Sequence, residues 1–219
     1  MNIKEKALFA VNALKKEYPD AICSLNASND FELLVATRLS AQCTDARVNI
    51  VTPALFEKYK TIEDYANAKV EDVEEIVRPC GFFRTKANDI VEMAKKIISD
   101  FNGRVPDNIE DLTSLPGVGR KTANLICGDV YHKPAVVADT HLIRISNRIG
   151  LVNSKNPKTV EMELKKILPP EESNDFCHRM VLHGRAVCVA RKAKCDICSM
   201  KEFCKKRFEK NIQEKNYGL

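Results

Sequence analysis

Apolar residues recur along this chain at helical spacing and almost nowhere at strand spacing, which narrows the fold more than any other feature. Ile90, Met93, Ala94, Ile97 and Ile98 fall at i, i+3, i+4, i+7 and i+8, the stripe that one face of a helix buries. Val160, Leu164, Ile167 and Leu168 repeat it. Further faces run through Ala123, Ile126, Cys127 and Val130, and through Leu142, Ile145 and Ile149. Phe31, Leu34, Val35 and Leu39 follow Asn29-Asp30, a pair able to cap a helix start. The one strand-like run, Ala135-Val136-Val137-Ala138, is too short to build a sheet. Pro53, Pro79, Gly81, Gly103, Pro106, Pro116, Gly117, Gly119, Pro134, Gly150, Pro157, Pro169 and Pro170 interrupt the pattern at helix-length intervals. The expectation is an all-α protein of about ten short helices. Its best internal seam lies near His132-Lys133-Pro134, and an N-terminal amphipathic helix through Ala7, Val11 and Leu14 is expected to pack back on the C-terminal part.

A chain of 219 residues suits one domain or two small ones. No run reaches the roughly 18 apolar residues that span a bilayer, and lysines and glutamates break up the N-terminus, so neither a membrane segment nor a signal peptide is read. The expected address is the cytosol. Residues 178–219 hold 11 Lys/Arg against 4 Asp/Glu, whereas the rest of the chain is slightly acidic. A basic segment of this kind is either solvated surface or a face for a polyanion, most often nucleic acid.

Nine cysteines in a chain without an export signal argue against a disulfide framework. Cys23, Cys43, Cys80, Cys127 and Cys177 are scattered among apolar neighbours and read as small buried hydrophobes. Cys188, Cys195, Cys198 and Cys204 instead fall within 17 residues. Clustered thiolates select zinc or iron–sulfur, and spacing alone leaves both open.

Two further segments suggest chemistry. In Leu112-Thr-Ser-Leu-Pro-Gly-Val-Gly-Arg-Lys-Thr-Ala-Asn, a helix is expected to end near Leu115 and another to begin around Arg120. The amides of Gly117, Val118 and Gly119 are then expected to face outward at a helix start, where N–H groups and the dipole favour an anion such as a DNA phosphate. Lys121, two residues past the turn, is a phosphate contact or, if its amine is neutral, a nucleophile. Asp139, in Val136-Val137-Ala138-Asp139-Thr140-His141, is placed to cap a helix, a role compatible with catalysis if one oxygen stays exposed.

LPGVGRKTAN, then VVADTHLIRISNR, then Cys-x6-Cys-x2-Cys-x5-Cys, in this order, resemble the endonuclease III family of the helix-hairpin-helix, Gly/Pro-rich-loop, Asp superfamily. The likeness runs from LLVATRLSAQCTD at 33–45 to Cys204. It implies a two-lobe helix-hairpin-helix glycosylase fold, with a helical lobe at 22–133 and a second lobe from 1–21 plus 134–219. It implies a DNA glycosylase and abasic-site lyase that excises oxidised pyrimidines from damaged double-stranded DNA, acting as a monomer in the bacterial or archaeal cytosol. By the same resemblance Lys121 is the Schiff-base nucleophile and Asp139 the essential carboxylate. Gln42 enters the duplex, and Gly117, Val118, Gly119 and Arg120 grip phosphate. By the resemblance Cys188, Cys195, Cys198 and Cys204 bind a 4Fe–4S cluster; Arg191, Lys192 and Lys194, on the loop between its first two ligands, then read either as solvated charge or, the preferred reading, as phosphate contacts. A second inserted residue is expected from a loop at 81–87, where relatives read Gly-Leu-Tyr-Asn-Ser-Lys-Ala. Phe82 keeps an apolar wedge, whereas Phe83 and Arg84 depart from the pattern. Competing readings are a mismatch glycosylase of the same superfamily lacking the lyase step, and a non-catalytic DNA-binding adaptor with a zinc knuckle.

Overall fold

The computed structural model describes residues 2–206. Among them the α-helices are α1 (Ile3–Glu17), α2 (Asp30–Leu39), α3 (Asp45–Lys58), α4 (Ile62–Ala66), α5 (Val70–Val77), α6 (Phe83–Phe101), α7 (Ile109–Ser114), α8 (Arg120–Asp129), α9 (Thr140–Ile149), α10 (Pro157–Ile167) and α11 (Ser173–Ala186), joined by turns and short 3-10 pieces. No strand occurs among the described residues, and none of their helices is long and apolar enough to cross a membrane.

The chain forms two compact units. One is Cys23–His132; the other joins the first 22 residues to those from Lys133 onward. In the first unit α6 is the central element, with α2, α4 and α5 packed on it. Its buried face holds Ile90, Met93, Ala94 and Ile97 of the stripe read from sequence together with Ala87 and Val91, while Ile98 is only half-buried. The α2 start is capped as expected, the Glu32 amide donating to Asn29 Oδ1 at 2.8 Å. The unit ends where His132 adopts left-handed backbone (φ 51) ahead of Pro134, a turn that continues no helix.

In the second unit α1 packs on α10 and α11 through Ala7, Ala10, Val11 and Leu14, and α9 also lies on α11. The run at 135–138 is an extended strap rather than a strand. Its backbone donors find side chains of α11 instead of a sheet: the Ala135 amide donates to Ser173 Oγ at 3.2 Å and the Val137 amide to Cys177 Sγ at 3.3 Å. That leads the chain, on fixed backbone, into Asp139.

Three expectations need correction. Pro53 does not end a helix but lies inside α3, on its exposed side, while Val48, Val51, Thr52 and Leu55 are buried around it. An interior proline costs roughly 3 kcal/mol, and here packing on the opposite face outweighs it. The segment at 81–87 is a loop only at Gly81 and Phe82, because α6 begins at Phe83. Of the scattered cysteines, Cys80, Cys127 and Cys177 are buried, but Cys23 and Cys43 are half-exposed.

Candidate functional site

In the first unit the hairpin between α7 and α8 is built on glycine. Gly117 has φ 72, left-handed backbone that other residues adopt at a cost. A Cβ there would come within 2.5 Å of Arg38 Nε and 2.7 Å of Asp89 Oδ2. Those two side chains form an ion pair, Nε to Oδ2 at 2.7 Å, that braces the turn from α2 and α6. The Val118 amide is a correction to the sequence reading. It does not face outward but donates to the Leu115 carbonyl at 3.2 Å, closing the turn, and the Val118 side chain is buried. Gly119 is the N-cap of α8 in extended backbone, with no side chain on the first amides and open space where its Cβ would be. Lys121 projects from the first turn of α8 and is exposed; Arg120 is half-buried.

Two exposed tips belong to the same unit. Gln42 lies in the turn from α2 to α3 with φ 55, and Phe82 precedes α6 with φ 47 and 67% of its surface exposed. A non-glycine residue in this region costs on the order of 1–3 kcal/mol, so both tips are held rather than relaxed. Beside Phe82, the Phe83 ring has Arg78 5.5 Å from its centroid on one contact and Arg84 4.8 Å away on the other. Phe83 and Arg84 thus form a cation–aromatic group next to Phe82. Lys86, buried at 1% exposure, donates from Nζ to the carbonyls of Leu39 and Cys80, each at 2.8 Å.

In the second unit Asp139 caps α9. Oδ1 accepts from the Leu142 amide at 2.7 Å, and Oδ2 lies 2.9 Å from His141 Nδ1. The second oxygen, expected to be exposed, therefore faces a histidine. The His141 ring rests against Gly184 of α11, where a Cβ would come within 2.6 Å of its Cδ2. The same helix grips the cysteine-bearing loop. Arg144 Nη2 donates to the Gly184 and Cys188 carbonyls at 3.1 Å each. Arg148 donates to the carbonyls of Val189 at 2.8 Å and Ala190 at 2.6 Å, and its Nη1 is 3.3 Å from Cys188 Sγ. One short helix carries the carboxylate at its start and anchors the loop near its end.

Cys188, Cys195, Cys198 and Cys204 all line one cavity of ≈ 270 Å³, together with Ile145, Arg148 and His183. Among the described residues no three His, Cys, Asp or Glu side chains are drawn together as ligands of a single ion. The donor set suits a cationic group, since thiolate sulfur is a soft metal ligand. Burial, and then the neighbouring Cys188, Cys204 and Cys195 sulfurs, push the Cys198 thiol up to about 11, so four thiolates would not coexist there without compensating positive charge. Fully buried His183 lines the same cavity with Nε2 3.4 Å from Cys198 Sγ, a place the sequence reading did not give it. Burial lowers its pKa, against the opposing pull of Glu17. Arg191, Lys192 and Lys194 are exposed on the loop between the first two cysteines, which is pinned by the Lys194 amide donating to Val187 O at 3.0 Å.

Gln42, Phe82, Gly117, Gly119, Arg120 and Lys121 thus share one unit, and Asp139, the four cysteines and the basic loop the other. The sequence reading missed Lys86, Arg144, Arg148 and Gly184. Arg144 and Arg148 carried a readable signal, since two arginines four apart lie on one helix face. Gly184 carried none, because its helix gives no local reason for a glycine.

Residues 35–170 match the family model described as HhH-GPD superfamily base excision DNA repair protein. The chain is 44% identical over 202 residues to an endonuclease III of Synechocystis sp., covering 92% of each chain. It is 40% identical over 206 residues to an endonuclease III of Bacillus subtilis, covering 94% of each. Among solved structures, a trapped endonuclease III–DNA covalent intermediate superimposes with a TM-score of 0.89 at 40% identity, over 96% of this chain and 100% of that one.

Proposed function

Because this chain belongs to the HhH-GPD superfamily of base excision DNA repair proteins, and within it to the endonuclease III family, we propose that it excises oxidised pyrimidines from duplex DNA and cuts the strand 3′ to the resulting abasic site. The observation that carries this reading is the α8 start: amides without a side-chain cap, behind a glycine turn, with exposed Lys121 in the first helical turn. Such a start suits a backbone phosphate, and a phosphate held there would bring a sugar within reach of Lys121.

Base chemistry requires the nucleotide to leave the stack. Gln42 and Phe82 fill the gap, an amide on one tip and an apolar ring on the other. The Lys121 amine bonds to C1′ as the C1′–base bond breaks, the base departing with the electron pair. Loss of a proton from nitrogen with ring opening gives an imine, which makes the C2′ proton acidic. Its removal sends electrons toward C3′ and expels the 3′ phosphate oxygen. Asp139, oriented by the Leu142 amide and by His141, supplies the carboxylate the reaction needs as a base and to offset positive charge developing on the sugar.

Gly117, Gly119 and Arg120 hold phosphate, while Val118 supports them from the core. Arg191, Lys192 and Lys194 contact the backbone without reading bases. A 4Fe–4S cluster on Cys188, Cys195, Cys198 and Cys204 would supply a rigid brace for that basic loop. The cavity of ≈ 270 Å³ that all four cysteines line offers room for such a cluster, and thiolate sulfur is its usual ligand. The protein acts as a monomer in the cytosol. The test is borohydride trapping on duplexes carrying thymine glycol, 8-oxoguanine, a mismatch or a plain abasic site. Adducts on thymine glycol and the abasic site are expected. No adduct on any duplex would leave a glycosylase without the lyase step or a DNA-binding module, which release of the free base from thymine glycol or the mismatch tells apart.

A further inference from the structure

Lys86 is a fully buried lysine that the proposed reaction does not use. A buried ammonium is costly unless polar groups surround it. Here both partners are backbone carbonyls, and both end a helical piece. Leu39 is the last residue of α2, and Cys80 the last of the 3-10 turn Arg78–Cys80. Such terminal carbonyls lack helical donors and carry the negative end of the dipole, so one cation satisfies two ends at once. Each carbonyl sits at the root of a tip: Gln42 follows Leu39 by three residues, and Phe82 follows Cys80 by two. Both tips keep left-handed backbone, which the surroundings must enforce.

We propose that Lys86 is a positioning residue that ties the Gln42 and Phe82 tips into a single preformed reader, so that they enter the duplex together as the base is expelled. This rests on the reading that these tips enter DNA. A lysine that merely closed two helix ends would stabilise the fold but leave no trace specific to base expulsion. A positioning lysine affects the step in which both tips must be in register, and leaves chemistry on an already exposed sugar alone.

The discriminating variant is Lys86→Met, of similar length but without donors. Three quantities are read in the folded protein: excision of thymine glycol from duplex, strand cleavage at an abasic site in single-stranded DNA, and fluorescence of 2-aminopurine opposite a reduced abasic site in duplex. Misplacing a reacting constellation by about 1 Å costs on the order of 100-fold, and a loss of that size is expected for duplex excision. The 2-aminopurine rise expected with wild type should vanish, while single-strand cleavage stays within about twofold. Equal losses on duplex and single strand would reduce Lys86 to a structural residue, and wild-type excision and fluorescence would remove even that role from the reader. Should Lys86→Met fail to fold, Lys86→Gln, which keeps a donor able to reach one carbonyl, carries the test with the same selective pattern expected and the same balanced loss overturning it. Wild-type protein inactive on every duplex would instead contradict the proposed function.

Discussion

α8 and α9 are each ten residues long, yet their N-termini are finished in opposite ways. α8 starts behind Gly119 and carries no capping side chain; α9 starts behind Asp139, whose Oδ1 takes the Leu142 amide at 2.7 Å. Both helices begin with amides that have no acceptor within the helix, and both have the same positive dipole end. In the proposed function one start is left for a phosphate, whereas the other is filled by a carboxylate the chain supplies. The difference explains why a glycine is right at 119 and wrong at 139. At 119 a capping side chain would compete with a ligand. At 139 the cap fixes a carboxylate whose second oxygen meets His141.

Exchanging the two finishes tests this contrast. The largest effect is expected from Asp139→Asn. Asparagine caps as well as aspartate, so the melting temperature should hold while excision of thymine glycol falls by roughly 1,000-fold or more for loss of the charged group. Near-normal turnover per folded molecule would make Asp139 a cap and nothing else. The converse change, Gly119→Asp, gives α8 the finish of α9 in open space and compatible backbone. Helix stability should rise by a few tenths of a kcal/mol, while duplex affinity falls about tenfold as the new carboxylate repels phosphate. Unchanged affinity in a salt-controlled titration would mean no phosphate sits there. The smallest effect concerns the basic loop. Replacing Arg191, Lys192 and Lys194 with alanine should weaken damaged and undamaged duplex alike. Each lost contact should also flatten the slope of log K against log salt by about 0.9. A loss confined to damaged DNA would show that the loop reads the lesion.

The helices were legible because burial stripes and breakers are local. Asn29 ahead of the Phe31 stripe and the glycine turn at 117–119 each announce their structure within a few residues. The partners of Asp139 were half legible: the cap follows from its place before Leu142, but the ring on Oδ2 depends on Gly184, 43 positions beyond His141 on another helix. Val118 was misread because an outward amide and a turn-closing amide have the same sequence. Lys86 was hidden in a segment read as loop, since only the meeting of two helix ends reveals what it binds. Pro53 misled for the opposite reason: local propensity was clear, and tertiary packing overrode it.

The central claim, that the open start of α8 delivers a sugar to Lys121, is tested most directly by the covalent adduct. Wild type is reacted with abasic duplex and borohydride and digested, and the DNA-bearing peptide is sequenced, with Lys121→Ala run beside it. The account predicts the modification on Lys121 in wild type, and no adduct from the variant despite duplex affinity within severalfold of wild type. An adduct on another residue, or undiminished trapping by Lys121→Ala, would contradict it.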